Sequence, residues 1–393
     1  MCRTQRRAAR APQLFHRIRS RRSTVLLRGF TALATALLLF AEEVPAHDPD
    51  TYGGVFRTHD AGATWTSINP GAFPSGALAL AVNPGDPHHL LLATDSGLWR
   101  SRNGGRDWEV DARGILSGPA FAAAFDADGR RALVAGTSSL FRDEADGWRA
   151  VRAPSGAAPA RALVPGATPG RIYLAGRSGL YRSDDWGESW ADAGRGIEAD
   201  AVDALLAPAG RSDEVCAVAG GAVWWSSDGA RTWQRRAGGI PGSRVEAVGL
   251  DPAAPARLWA MAAAQVYTSD SPGAEWRAVG KPLPDTAVTA RAMAVSGKVI
   301  VIATDRGVFR STDGAERWEP PKESLPAHVA ARVLVSDAGN PATLYAGFAV
   351  SGYDDLQKQA RPSGLRGAAD LVLIALIAVA VIAAAARRLA KSR

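Results

Sequence analysis

The chain has 393 residues, of which 41 are glycine, 24 proline and only two cysteine, and its formal net charge is +7. The basic excess lies at the two ends, because residues 1–46 contain nine Arg against two Glu and the last seven residues contain four Lys or Arg. The segment between the ends is therefore mildly acidic, which argues against nucleic-acid binding. A single cysteine outside the first 46 residues excludes an intrachain disulfide or a cysteine-based metal site there, and we expect no metal and no cofactor.

Residues 1–46 have the features of a secretory signal peptide. An Arg-rich leader precedes an apolar run that is clearest from Phe30 to Phe40, and Val44-Pro45-Ala46 supplies small residues for cleavage before His47. An uncleaved signal anchor is the alternative. Either interpretation predicts that the rest of the chain is exported.

A hairpin motif recurs along residues 52–350. In its first copy the aromatic Phe56 is followed by Thr58, Asp60, Gly62 and Trp65. The leading aromatics lie 40 to 43 residues apart, and they are Phe56, Trp99, Phe141, Tyr181, Trp224, Tyr267 and Phe309. Seven units at a nearly fixed period indicate a repeat architecture, with propellers among the main candidates.

Each part of the motif has a structural reason. The alternating run before the turn predicts a strand, the Asp accepts hydrogen bonds from its own turn, and the Gly allows positive φ. The Trp begins the return strand and covers the hairpin. The residues predicted to have these structural roles are Asp60, Asn103, Asp185, Asp228 and Asp313 in the turns and Trp65, Trp108, Trp190, Trp233, Trp276 and Trp318 after them. The copy from Phe141 to Trp148 is two residues short and lacks the turn chemistry.

The units resemble Asp-box (BNR) repeats, which have the form Ser-x-Asp-x-Gly-x-Thr-Trp. Such repeats are known from sialidases, sortilin-type receptors, xyloglucan-degrading enzymes and the photosystem II assembly factors. The resemblance implies a propeller in which the box is structural and lies away from the ligand-binding face. It does not select a function, because these families share the box and differ in activity.

Two further strand-like runs precede most hairpins, so each unit is predicted to be a four-stranded antiparallel blade. The chain begins with an unpartnered hairpin, Gly53 to Asn69, and ends with an unpartnered strand pair, Val329 to Gly347. We therefore predict an all-β fold in which residues 47–352 form a seven-bladed β-propeller. The seventh blade is built from both termini, which leaves no unpaired sheet edge.

The C-terminal region predicts a membrane anchor. Residues 353–367 are polar and are expected to be a linker, and residues 368–388 are long and apolar enough for a transmembrane helix. The basic residues after Ala386 place the tail, 389–393, in the cytoplasm. The expected location is the inner membrane, with a single span and the propeller in the periplasm.

Aligning the inner strands gives one group of charged residues at the expected mouth of the central channel. Asp203 and Glu246 occupy one register in adjacent blades, and Arg291 and Arg332 lie two positions further along in the next two, with Arg161 nearby. Two carboxylates in adjacent sheets are loosely compatible with a glycosidase pair, which makes Asp203 and Glu246 the alternative catalytic candidates. Otherwise the charges form ion pairs between blades around a polar channel.

The connections between blades are short, and no insertion interrupts the repeat. Enzymes on repeat scaffolds usually build their active sites on long loops, and no other residues complete a catalytic group with Asp203 and Glu246. The resemblance to sialidases would require an arginine triad and a Tyr–Glu pair, which cannot be assigned. The leading hypothesis is a non-enzymatic, membrane-anchored scaffold that binds a protein partner, such as a membrane complex, as an assembly or stability factor does. The alternatives are an exo-sialidase-type glycoside hydrolase and a glycan- or peptide-binding receptor domain.

Overall fold

The computed structural model describes residues 53–360, apart from 70–75, 113, 145–146, 198–201, 237–239, 241, 243, 272–274 and 327–328. The described elements are twenty-seven strands and one helix. In chain order they are β1 (Gly53–Thr58), β2 (Thr66–Ser67), β3 (Ala77–Asn83), β4 (Asp86–Thr94), β5 (Gly97–Ser101), β6 (Glu109–Asp111), β7 (Ala122–Phe125), β8 (Ala132–Ala135), β9 (Leu140–Glu144), β10 (Gly147–Val151), β11 (Ala162–Pro165), β12 (Ile172–Ala175), β13 (Leu180–Ser183), β14 (Ala191–Asp192), β15 (Val202–Leu206), β16 (Val215–Ala219), β17 (Ala222–Ser226), β18 (Gln234–Arg236), β19 (Val245–Asp251), β20 (Ala254–Ala262), β21 (Gln265–Ser269), β22 (Arg277–Val279), β23 (Ala290–Ser296), β24 (Val299–Thr304), β25 (Gly307–Ser311), β26 (Ala331–Ser336), β27 (Leu344–Ala349) and α1 (Tyr353–Ala360).

These strands form the seven antiparallel blades of a propeller. Blades 1 to 5 are the successive groups of four from β3 to β22, blade 6 is β23–β25, and blade 7 joins β26, β27, β1 and β2. The fourth position of blade 6 is reduced to a single bridge between Arg310 and Glu319. The first strand of each blade contacts the first strand of the next, and β26 contacts β3, so the inner strands close into a ring. The predicted all-β, seven-bladed propeller is confirmed.

The ring is closed by strands from opposite ends of the propeller. Strand β1 pairs with β27 over six residues, from Gly53 opposite Ala349 to Thr58 opposite Leu344. At this junction the Phe56 and Phe348 rings meet edge to face with centroids 5.4 Å apart. The predicted closure of blade 7 is thereby confirmed.

Hydrogen bonds within the recurring turns account for their residue pattern. In the first turn Thr58 Oγ1 donates to Asp60 Oδ1 at 2.6 Å and accepts from the Gly62 N–H at 3.0 Å, while Asp60 accepts from the N–H and the hydroxyl of Thr64. Burial alone would raise the pKa of Asp60, but these hydrogen bonds outweigh it and lower the pKa to about 2. The predicted turn residues Asn103, Asp185, Asp228 and Asp313 accept equivalent bonds in their own turns.

Three motif tryptophans connect their blade to the preceding one by a hydrogen bond. Indole N–H groups donate to backbone carbonyls about one repeat earlier in the chain. These bonds join Trp108 to Ile68 (2.7 Å), Trp233 to Ala193 (2.7 Å) and Trp318 to Lys281 (2.9 Å). Trp65 and Trp276 are themselves buried. The tryptophans therefore stabilise the contacts between blades as well as covering their own hairpins.

The arginine of the same motif reaches forward to the next blade, which was not foreseen from the sequence. Five blades contain this arginine on their third strand. The contacts are Arg57 to the Gly104 carbonyl (2.5 Å), Arg100 to Asp143 (2.7 Å), Arg142 to Glu188 (2.5 Å), Arg182 to the Gly229 carbonyl (2.7 Å) and Arg310 to the Ala61 carbonyl (2.8 Å). Trp225 and Thr268 replace it in blades 4 and 5. The contact from Arg310 crosses from blade 6 to blade 7.

We expect Trp233→Phe to lower the free energy of unfolding by about 1 kcal/mol more than Trp190→Phe, because only the first change removes a hydrogen bond between blades. Trp233 donates to Ala193, whereas the buried Trp190 Nε1 has no hydrogen-bond partner. Both changes remove a similar area of aromatic surface, so Trp190→Phe is a matched control. Urea unfolding monitored by circular dichroism measures the difference. Equal losses for the two variants would contradict the role assigned to the indole bond.

Several sequence predictions concern residues outside this description. The signal peptide (1–46), the transmembrane segment (368–388) and the cytoplasmic tail (389–393) lie there. Within the described part of the chain, no helix is long and apolar enough to cross a membrane. Residues 353–360, at the start of the expected linker, form the helix α1. Cys216 is fully buried in β16, and burial raises the pKa of its thiol to about 12.

Candidate functional site

One residue from each blade lies at the start of the inner strand and faces the same end of the channel. We call these seven residues the channel mouth: Leu78, Phe121, Arg161, Asp203, Glu246, Arg291 and Arg332. They line a single cavity of about 650 Å³ together with residues of α1. All five charged residues that the sequence analysis placed near the mouth are therefore brought together here.

A repeated backbone irregularity positions most of these side chains. In five blades the mouth residue is the extra residue of a β-bulge, as between Val202 and Ala204 or between Val245 and Ala247. The same shift in register occurs at Leu78, Arg291 and Arg332. A bulged residue is unpaired in the ladder and its side chain is re-aimed, which is common at the rims of closed sheets. In these five blades the bulge thus directs one side chain toward the channel axis.

The structure corrects the register that we expected for two arginines. Arg291 and Arg332 were placed two positions beyond Asp203 and Glu246, because Val288 and Val329 were taken as the equivalents of Val202 and Val245. Strands β23 and β26 begin instead at Ala290 and Ala331, so all four charged residues occupy one register. The physical reason is that the connections before blades 6 and 7 are longer, which shifts the strand starts.

A simple spacing would have found five of the seven mouth residues, including Leu78 and Phe121, which the sequence analysis missed. The mouth residue follows the tryptophan of the preceding blade's last strand by thirteen residues in blades 1 to 5. The pairs are Trp65 and Leu78, Trp108 and Phe121, Trp148 and Arg161, Trp190 and Asp203, and Trp233 and Glu246. The interval grows by two residues before Arg291 and by one before Arg332.

The two acidic mouth residues are already engaged within the protein. Asp203 Oδ2 accepts from Arg244 at 2.6 Å, and Glu246 Oε2 accepts from the backbone N–H of Ala290, in the next blade, at 2.7 Å. The second bond joins blade 5 to blade 6. This geometry matches the interpretation of these residues as contacts between blades, and it supplies no further group for acid–base catalysis.

The two arginines of blades 6 and 7 have a different environment. Arg332 donates only to the backbone carbonyls of Ala349 and Val350, at 3.0 and 3.2 Å, and neither Arg291 nor Arg332 forms a salt bridge with a described carboxylate. Burial and then the neighbouring charge of Arg291 lower the pKa of Arg332, and they outweigh the opposite effect of the Asp355 and Asp354 charges in α1. Two like charges that face one cavity would both be stabilised by an anion between them.

The opposite side of the mouth is covered by α1. Asp354 accepts from Arg161 at 2.7 Å, and the Tyr353 ring lies 4.4 Å from the Arg161 guanidinium. The helix begins after Gly352, whose N–H donates to Asp355 Oδ2 at 3.2 Å. That bond satisfies a backbone donor at the helix start. The residues that lead into α1 also reach the other side of the mouth, because Arg332 donates to the Val350 carbonyl and the charges of Asp355 and Asp354 act on Arg332.

The recurring turns lie on the other face of the propeller, with the connections between first and second strands. The backbone N–H of Gly104 in one such turn donates to the His88 carbonyl, and that of Gly229 donates to Asp213. Among the described residues no group of three or more His, Cys, Asp or Glu side chains could hold a metal ion.

Comparisons with known proteins identify similar folds. No protein-family model matches the sequence, and no curated protein matches it. The chain is similar in structure to YCF48 bound to D1 peptide, with a TM-score of 0.55 and 17% identity over 69% of this chain and 93% of that one. It is equally similar to YCF48 from Cyanidioschyzon merolae, with a TM-score of 0.56 and 14% identity over 70% of this chain and 96% of that one.

A GH74 xyloglucanase from Xanthomonas campestris shares the fold as well. Its TM-score is 0.55 and its identity 17%, over 70% of this chain but only 51% of the enzyme, so the chain spans about half of that protein. At these identities the comparisons show the fold and leave activity to be argued from the site. The chain is a seven-bladed propeller with YCF48 and a GH74 xyloglucanase among its structural neighbours.

Proposed function

We propose that this protein is a membrane-anchored, extracytoplasmic scaffold that binds a carboxylate-bearing segment of a protein partner at the channel mouth. The observation that supports this most is the pair Arg291 and Arg332, which line one cavity and form no salt bridge with a carboxylate in the described part of the chain. Planar guanidinium groups bind carboxylates with directed hydrogen bonds. A neighbour of similar fold, YCF48, is bound to a D1 peptide, which is consistent with peptide binding by such a propeller.

The recurring turns are proposed to be Asp boxes with a structural role only. Their carboxylates are used by hydrogen bonds inside each turn, and they lie on the face away from the mouth. In this proposal the boxes and their tryptophans maintain the ring, while specificity belongs to the seven mouth residues. This division follows the general separation of scaffold and site in repeat proteins.

The proposed anchor also orients the mouth. Only residues 361–367 separate α1 from the segment expected to span the membrane. Seven residues extend at most about 25 Å. Because α1 lies against the mouth, the mouth would face the inner membrane from the periplasmic side. A segment of a membrane complex exposed close to the bilayer is therefore the partner that the geometry favours, and an assembly or stability factor is the role we propose.

Site-specific photo-crosslinking in intact membranes tests this function. A benzoylphenylalanine at Thr289, which lines the cavity, is expected to form adducts with a membrane-embedded partner. The same residue at Arg102, in an exposed turn on the opposite face, is the matched control and should not. Adducts from Arg102 but not from Thr289 would reject the mouth as the binding face.

The hydrolase alternative is tested with the same purified chain. Turnover of fluorogenic glycosides that is abolished by Asp203→Asn or Glu246→Gln would overturn the scaffold proposal. We expect no turnover, because both carboxylates are held by Arg244 and by the Ala290 N–H.

A further inference from the structure

The helix α1 lines the channel mouth and makes a specific set of contacts there. The Tyr353 hydroxyl donates to the Pro159 carbonyl at 2.6 Å, and its ring meets Phe121 edge to face at 5.5 Å. On its other side the ring lies over the Arg161 guanidinium. Burial raises the pKa of Tyr353 to about 12, so the phenol stays neutral and can donate its hydrogen bond.

Asp354, the acidic residue after Tyr353, adds a second contact with Arg161. Asp354 Oδ1 accepts from Arg161 at 2.7 Å, although the Asp354 side chain is 63% exposed. Arg161 Nε is buried and has no hydrogen-bond partner among the residues that the structure describes. One arginine therefore contacts an aromatic ring and an adjacent carboxylate at once, and it retains an unused donor. We call Phe121, Pro159 and Arg161 the aromatic–acidic subsite.

The path of the chain shows that α1 lies on the surface of the mouth and does not belong to the core of a blade. It follows β27 in blade 7, while its contacts are with blades 2 and 3. Leu356 of this helix is buried, whereas Asp354, Asp355 and Lys358 are exposed. A helix of eight residues has little stability of its own and depends on such contacts. An exposed ion pair contributes little to them.

We propose that α1 is a resident ligand of the channel mouth, and that the aromatic–acidic subsite takes an aromatic residue followed by an acidic residue from the partner once α1 is displaced. This inference rests on the proposed function and names the chemistry of the partner segment. Tyr353 and Asp354 of α1 occupy the contacts with Pro159 and Arg161, so the aromatic–acidic subsite becomes available only when α1 leaves. A partner must therefore compete with a tethered copy of its own motif.

The test uses a fluorescent peptide with the sequence of residues 352–360 and the full chain in detergent micelles. In the unaltered chain α1 occupies the subsite, so the peptide is expected to bind weakly. The change Tyr353→Ala/Asp354→Ala in the chain should empty the subsite and tighten peptide binding by about tenfold or more, because the competent fraction rises. Fluorescence anisotropy, with chain concentrations up to the millimolar range, measures the dissociation constant.

Two controls make the result specific. Adding Arg161→Ala to the double variant should remove the gain, and a peptide with alanine in place of its tyrosine and first aspartate should not bind. Equal affinity for the unaltered chain and the double variant, an affinity indifferent to Arg161, or no binding to any variant would each overturn the inference. The assay involves no partner protein and is read out through Arg161, so its failure is distinguishable from failure of the proposed function, which is tested through Arg291 and Arg332.

Discussion

Replacing Phe348 with alanine is expected to lower the free energy of unfolding by about 3–5 kcal/mol, the cost of removing a fully buried phenylalanine. Phe348 is 0% exposed and packs against Phe56 across the junction that closes the ring. Its strand pairs with β26 on one side and with β1 on the other. The cavity would therefore open at the one place where the two termini of the propeller meet.

The pairing of β1 with β27 also predicts how hydrogen exchange changes in this variant. In Phe348→Ala, amide hydrogen exchange should accelerate in β1 and β27 together, because these strands open as one unit. Phe348→Leu keeps most of the volume and should cost less than about 1.5 kcal/mol. A loss below about 1 kcal/mol for the alanine variant, or faster exchange in β27 while β1 is unaffected, would contradict the closed ring.

The closure of the ring by blade 7 could be predicted from the sequence by counting the strands at the two ends of the repeat region. A hairpin at Gly53 to Asn69 without preceding strands and a strand pair at Val329 to Gly347 without a following hairpin leave a single way to remove both edges. The roles of Asp60 and its equivalents were also predictable, because a carboxylate in a short turn has few partners besides its own backbone.

The contacts between blades were less accessible to sequence analysis. An alternating strand pattern tells which side of the sheet Arg57 or Arg310 faces, but it does not tell how far a long side chain reaches. Both arginines extend to backbone carbonyls in the next blade. Hydrogen bonds to backbone carbonyls require no particular residue at the acceptor, so the sequence carries no signal of the partner.

The channel mouth could be predicted from the sequence only in part. The five charged residues line one cavity, but Arg291 and Arg332 share the register of Asp203 and Glu246, because the connections before blades 6 and 7 are longer and shift the strand starts. The helix α1 was missed because its segment is polar and short. Its order comes from tertiary contacts of Tyr353 with blades 2 and 3, which no local pattern predicts.

A double charge reversal, Arg291→Glu/Arg332→Glu, is expected to have the largest functional effect. A hydrogen bond between a charged pair contributes about 1.5–3 kcal/mol. Losing two such bonds would weaken partner binding more than a hundredfold by the relation of about 1.4 kcal/mol to a factor of ten. Repulsion between the new glutamates and the partner carboxylate adds to the loss. Arg332 also donates to two carbonyls, so unfolding must be measured in parallel to establish that the variant is folded.

The matched control is Arg102→Glu/Arg106→Glu, which changes the net charge equally at two exposed residues on the opposite face. The amount of crosslinked partner recovered from membranes with the Thr289 probe is the measurement that tests the central claim most directly. The account predicts that recovery falls below detection for the mouth variant and is unchanged for the control. Undiminished recovery with a folded Arg291→Glu/Arg332→Glu chain would contradict the assignment of the channel mouth as the binding site.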